Sequence, residues 1–299
     1  DACFRESFLA LQPLRDEDLL SIMGNYALAV KPGISLLGRQ KQALLQKLKT
    51  IDPKLCRPLY ALFLTDAYVN GQNPERWDKN DVLDYIKERE ESRLKFNIKQ
   101  VLGEIDKKLW DACLWLQYTA TVLQDASLQD LKLLCPESWV VIERKADSFR
   151  SPESMLEQIG LAAGGQVPAL RPDLIGEYAV YTWLQEHSEK SQEFLTAVWE
   201  EPFPTAVFFD RLISDYGYLL NESPRHWELL LPECIHIPEY VAIWYTNLLA
   251  NSTAFCSIME GRKRQAEILE AIAHNCPKNM AIVEVFAKGL FNLSNRQDK

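Results

Sequence analysis

Leu55-Cys56-Arg57-Pro58-Leu59-Tyr60-Ala61-Leu62-Phe63-Leu64, followed by Gly71, Trp77 and Asp81-Val82-Leu83, is the stretch on which the fold turns. Apolar residues at Leu59, Leu62, Phe63, Ala67 and Val69 recur at helical spacing. Pro58 stands just inside the start, where its missing N–H costs nothing and its fixed φ suits a first turn. A second helix is expected from Lys79 or Asn80, with Val82, Leu83 and Ile86 on its buried face. By periodicity alone, the stretch is a helical hairpin.

The composition around it is that of a globular chain: 299 residues, 47% apolar and 25% charged, enough for two or three packed units. A net charge of −9 argues against phosphate-backbone binding as the dominant function, so no nucleic-acid partner is expected. The seven cysteines form no Cys-x-x-Cys pair and sit in apolar surroundings, which fits reduced core thiols and a cytoplasmic location. No apolar run reaches the roughly eighteen residues of a membrane span, and no membrane partner is expected. The start, Asp1-Ala2-Cys3-Phe4, has neither a signal peptide nor an initiator methionine, as if cut from something longer.

Helical periodicity is nearly continuous and strand signals are scarce. Phe8–Leu11 suggests a short strand, and Asp16 a helix cap. A helix is expected over roughly Leu36–Thr50, and a buried one over Leu109–Leu123. Ser127 and Ser151 each open a shorter helix, the second through Ser-Pro-Glu-Ser and on to Ile159. Val167–Leu174 reads as extended, with the β-prone Trp139–Ile142 run as a pairing partner. Three helices followed by a short β element predict a winged-helix arrangement. Its third helix, Glu153-Ser154-Met155-Leu156-Glu157-Gln158, carries no Lys or Arg, which favours a packing module over a DNA reader.

Further on, aromatic-rich helices punctuated by Pro202, Pro204, Pro224, Pro232 and Pro238 read as stacked helical pairs. Ile268–Ala273 and Ile282–Leu293, joined through Pro277, look like one unit of a helical repeat. The chain has no Gly-x-x-x-x-Gly-Lys-Ser/Thr loop, no Gly-x-Gly-x-x-Gly after a strand and no Gly-x-Ser-x-Gly elbow. His187, His226, His236 and His274 lie outside any zinc spacing, so no metal site and no catalytic residue is assigned.

Two motifs gain meaning together. Cys56-Arg57-Pro58-Leu59 leads into an apolar helix, and about 115 residues later Leu170-Arg171-Pro172-Asp173-Leu174-Ile175-Gly176-Glu177-Tyr178-Ala179 lies between an extended piece and a helix. The pair resembles the region following the P-loop domain in signal-transduction ATPases with numerous domains (STAND NTPases). In that family a Gly-x-Pro opens a small helical domain, and its proline packs against adenine. A winged-helix domain then carries a Met-His-Asp motif whose histidine contacts the nucleotide β-phosphate in the resting state. The resemblance implies Pro58 as the adenine contact, with Arg57 beside it and Cys56 in the glycine's place. Asp173 matches the aspartate; Arg171 and Pro172 replace methionine and histidine, and Arg171 offers a positive charge where the histidine would read phosphate.

These readings combine into a mainly α fold. A small helical domain is expected over 1–100, a winged-helix-like domain over 101–185, and helices leading into a TPR-like or armadillo-like repeat over 186–299. The resemblance implies ATP or ADP as cofactor of a parent protein whose nucleotide-binding domain precedes Asp1, with no cofactor expected on the isolated chain. It also implies a protein ligand or a second copy on the repeats, in a switch of the kind used in bacterial antiviral defence. The alternative is an all-helical protein-binding scaffold with no nucleotide. A winged-helix transcription factor is opposed by the acidic third helix and the net charge.

Overall fold

A computed structural model describes residues 14–220. The expected Phe8–Leu11 strand and the repeat-like pair at Ile268–Leu293 lie outside them, as do Pro224, Pro232 and Pro238. The described part is mainly α: eleven α-helices, two 3₁₀ turns and two two-residue strands. It divides into two compact units, with the boundary between Glu90 and Glu91.

The first unit contains α1 (Asp16–Val30), α2 (Gly38–Ile51), α3 (Pro58–Val69) and the beginning of α4 (Lys79–Leu102). Arg15 occupies the cap position of α1, and Asp16 joins Glu17 and Asp18 as the acidic first turn, which suits the positive end of a helix dipole. Gln40 closes the start of α2 by accepting from Leu37 N at 2.8 Å. At α4, Asp78 and Asp81 accept reciprocally from each other's backbone N–H, a capping box that places the start where the sequence predicts it. Val82, Leu83 and Ile86 are buried as expected. α3 packs against α1 and α2 and is buried nearly all round. Leu59 and Leu62 are only half-buried, while Tyr60, Ala61, Leu64, Thr65 and Asp66 are enclosed.

In the second unit, α5 (Lys107–Val122) is the central helix, lying against α7 (Pro136–Lys145), α9 (Asp173–Glu186), α10 (Ser191–Val198) and α11 (Pro202–Leu220). Asp106 caps α5, accepting from Leu109 N at 2.8 Å. Trp183 of α9 anchors the core against Trp115, Tyr118 and Phe194 at ring distances of 5.2–5.7 Å. β1 (Ala126–Ser127) pairs antiparallel with β2 (Gln166–Val167), and α6 (Leu128–Leu134), α7 and α8 (Pro152–Gln158) lie between them in sequence. Ser127 and Ser151 cap α6 and α8 as the sequence predicts.

The partner of β2 differs from expectation. Trp139–Ile142 belongs to helix α7, so four helices rather than three precede β2, and Ala126–Ser127 supplies the pairing strand. The reason is local. Pro136 occupies the first helical position, Glu137 the first turn, and Arg144 and Lys145 the last. Trp139 and Ile142 are buried three residues apart while Val140 points to solvent, which is helical rather than alternating spacing.

Candidate functional site

The residues singled out by the resemblance fall into two groups: Arg57 and Pro58 in the first unit, Arg171 and Asp173 in the second. Each pair has its own local machinery.

Asp52 caps the loop before α3. Its Oδ2 accepts from Arg57 N at 2.8 Å and from Arg57 Nε at 3.0 Å, and only 7% of the residue is exposed. The guanidinium lies 5.1 Å from the Tyr60 ring centre, so Arg57 is held between a carboxylate and an aromatic face. Pro58 is half-buried at the first position of α3. Between Asp52 and Pro58 the backbone takes a tight path, with Cys56 at φ 45° in the left-handed region. Burial, then the neighbouring Asp52, pushes the Cys56 thiol up, away from a reactive thiolate.

The second group is built on the loop entering α9. Asp125 Oδ1 accepts from Ala169 N at 2.7 Å and Thr121 Oγ1 from Leu170 N at 3.1 Å, tying the loop to the end of α5. Gly176 allows the close approach, because a Cβ there would stand 2.7 Å from Thr121 Cγ2 and 2.9 Å from the Leu170 carbonyl oxygen. Arg171 is exposed and pairs with Asp173, with Asp125 at 3.8 Å. Arg211 reaches across from α11: its Nη1 donates to Asp173 Oδ2 at 2.9 Å, and its Nε stands 3.1 Å from Glu177 Oε1 without hydrogen-bond alignment. Glu177 is 1% exposed and its Oε2 has no hydrogen-bond partner. Burial, then Asp215, raises its carboxyl to about 8 against the pull of Arg211.

Three functional-looking groups are missing from the sequence expectations. Glu177 sits inside the quoted motif, one turn after Asp173, but nothing in the motif announces its burial. Arg211, 38 residues beyond Asp173, carries no signal at all. The third is Asp66 on α3, 1% exposed. It accepts from Tyr26 and Tyr85 at 3.0 Å each and from Asn70 at 3.3 Å, and pairs with Arg89. A polar Thr65-Asp66 pair inside an apolar run is the visible sign of such a network.

Among the described residues no group of three or more His, Cys, Asp or Glu is arranged to hold a metal ion. Cys113 and Cys135 are buried thiols pushed up to about 12 and about 11 by loss of solvent. A cleft of about 280 Å³ opens between α5, α7 and α10, floored by Trp115 and Cys135 and rimmed by Lys108, Glu137, Lys190 and Glu193. No described helix is long and apolar enough to cross a membrane. No protein family, curated protein or solved structure matches the chain.

Proposed function

We propose that this chain is the region that follows the nucleotide-binding domain in a STAND-type signal-transducing ATPase, serving as nucleotide lid, relay and part of a ligand-sensing helical array. The observation that carries the reading is the backbone at Cys56. The residue at the family's glycine position has a left-handed φ of 45°, a conformation glycine takes freely, one residue before Arg57 and two before the proline that opens α3. The order of elements adds support. A small helical unit is followed by helices bracketed by an antiparallel β1–β2 pair, in the manner of a winged helix, and then by a helix starting at the motif aspartate Asp173.

On this reading, P-loop chemistry belongs to a domain before Asp1. In the first unit Pro58 is the adenine contact and Arg57 braces the loop that carries it; in the second, Arg171 and Asp173 stand at the positions of the family's phosphate-reading motif. Helices beyond α9 lead into the repeats that bind a protein ligand or a second copy, and the closed and open states of such a switch differ in how these modules clamp the nucleotide.

Calorimetric titration of ATP or ADP into this chain gives weak or no binding. Extending the chain upstream through a Walker loop restores tight binding, and Pro58→Ala weakens it. Micromolar or tighter binding by the chain alone contradicts the proposal. A second reading, an all-helical protein-binding scaffold, draws on the cleft floored by Trp115, which has the apolar base and charged rim that accept a partner's side chain. Absence of any Walker loop in the parent gene decides for the scaffold.

A further inference from the structure

We propose that Arg211 and Glu177 form a proton-gated latch between α9 and α11, closed while the Glu177 carboxyl is protonated and loosened when it ionises. Asp173 and Glu177 stand one turn apart on α9, and Arg211 and Asp215 one turn apart on α11, so the two helices present i,i+4 pairs to each other. Arg211 divides its guanidinium between them. The aligned bond goes to Asp173 at 2.9 Å, and Glu177 receives only the off-line approach of Nε at 3.1 Å. Glu177 is thus enclosed with one oxygen that meets no donor, and its hydrogen bond with Asp215 requires a shared proton, an arrangement costly for a carboxylate and favourable for a neutral carboxyl.

The other charged groups near this end strengthen the bias. Asp215 and Asp173 act on Glu177 as like charges, and Arg211 is the opposing cation. Arg171 is spent outside, on Asp173 and Asp125. α5 packs against both helices, with Thr121 beside Gly176, and its half from Ala112 to Val122 contains no charged residue. The titratable residues of that half, Cys113 and Tyr118, are pushed up by burial and remain neutral. At the other end of α9, Lys190 is 3.7 Å from Asp111.

When the proton leaves, the Glu177 carboxylate acquires a full charge that meets Arg211 only through the off-line Nε, while Asp215 and Asp173 repel it. Separation of α9 from α11, or entry of water between them, relieves that state. Other ties remain: Arg211 Nη1 stays paired with Asp173 at 2.9 Å, Tyr216 Oη donates to the Leu174 carbonyl at 2.6 Å, and the Tyr178 and Tyr216 rings lie 5.6 Å apart. The change is therefore a loosening, with the two helices still joined. The latch rests on this helix pair and not on the nucleotide reading, so either can fail alone.

Hydrogen–deuterium exchange on the whole chain, corrected for the intrinsic pH dependence of exchange, tests it between about pH 6 and 9. The expected result is that α9 and α11 amides lose protection as pH passes about 8, while α3 amides do not. Glu177→Gln stays protected across the range, and Asp215→Asn, which removes a like charge that holds the Glu177 proton, moves the midpoint to lower pH. Protection in the wild type that ignores pH overturns the proposal, as does a Glu177→Gln profile that follows the wild type. If the glutamine variant does not fold, the wild-type and Asp215→Asn profiles decide by the same criteria.

Discussion

Helices α3 and α9 are built alike and differ at one point. Each begins beside an Arg-Pro pair, at Arg57-Pro58 and Arg171-Pro172, and each is enclosed on nearly all sides by its unit. Each also carries one carboxylate that is 1% exposed, Asp66 and Glu177, met by an arginine from a later helix, Arg89 and Arg211. Around Asp66 two tyrosines, Asn70 and Arg89 all direct donors at the carboxylate. Around Glu177 the arginine is shared, one oxygen has no donor, and Asp215 adds negative charge. A buried carboxylate with a full set of donors is a structural tie; one with too few becomes a titrating group. The comparison separates a fixed network from a switchable one within a single chain.

Removing the carboxylate of the fixed network has the largest expected effect. Asp66→Ala leaves Arg89 and both tyrosine hydroxyls without their common acceptor and costs about 3–5 kcal/mol, measured as the denaturant midpoint of the first unit. Arg211→Met comes next. The guanidinium is one-third exposed, so its loss costs only about 1–2 kcal/mol, and the test is exchange protection in α9 and α11. It also leaves Glu177 with no opposing cation on α11, so the loosening moves to higher pH. Cys56→Gly is the smallest effect and has the opposite sign. Relief of the left-handed backbone outweighs the added chain entropy and stabilises the first unit by about 0.5 kcal/mol, read from its unfolding midpoint.

Much of this helical framework is legible in the sequence because its signals are local. Pro58 at the first turn, the serines capping α6 and α8, and the apolar run of α5 all act within a few residues of themselves. α7 misleads because Val140 and Val141 lend it a strand-like look. Its identity lies in the three-residue spacing of Trp139 and Ile142 and in the Trp139 Nε1–H donated to Glu143 one turn on. The second turn of α9 is legible as a motif, yet the chemistry of Glu177 is not. Its state depends on Arg211 and Asp215, both more than thirty residues away and on another helix. Asp66 is similar, since Tyr26 reaches it from 40 residues upstream. Helices follow from neighbours in sequence, whereas buried charge is decided by neighbours in space.

The distinction between the two carboxylates rests on one group, and the pH dependence of stability reads it directly. The Glu177 carboxyl is raised from its ordinary 4.5 to about 8. The folded chain therefore holds a proton that the unfolded chain has released between those values, and stability falls as pH rises through that window. The associated loss is on the order of 4 kcal/mol by about pH 8. Unfolding free energy of the second unit, measured in denaturant from about pH 5 to 9, is predicted to decline in the wild type and to flatten in Glu177→Gln. Wild-type and Glu177→Gln curves that run parallel across that range contradict the account.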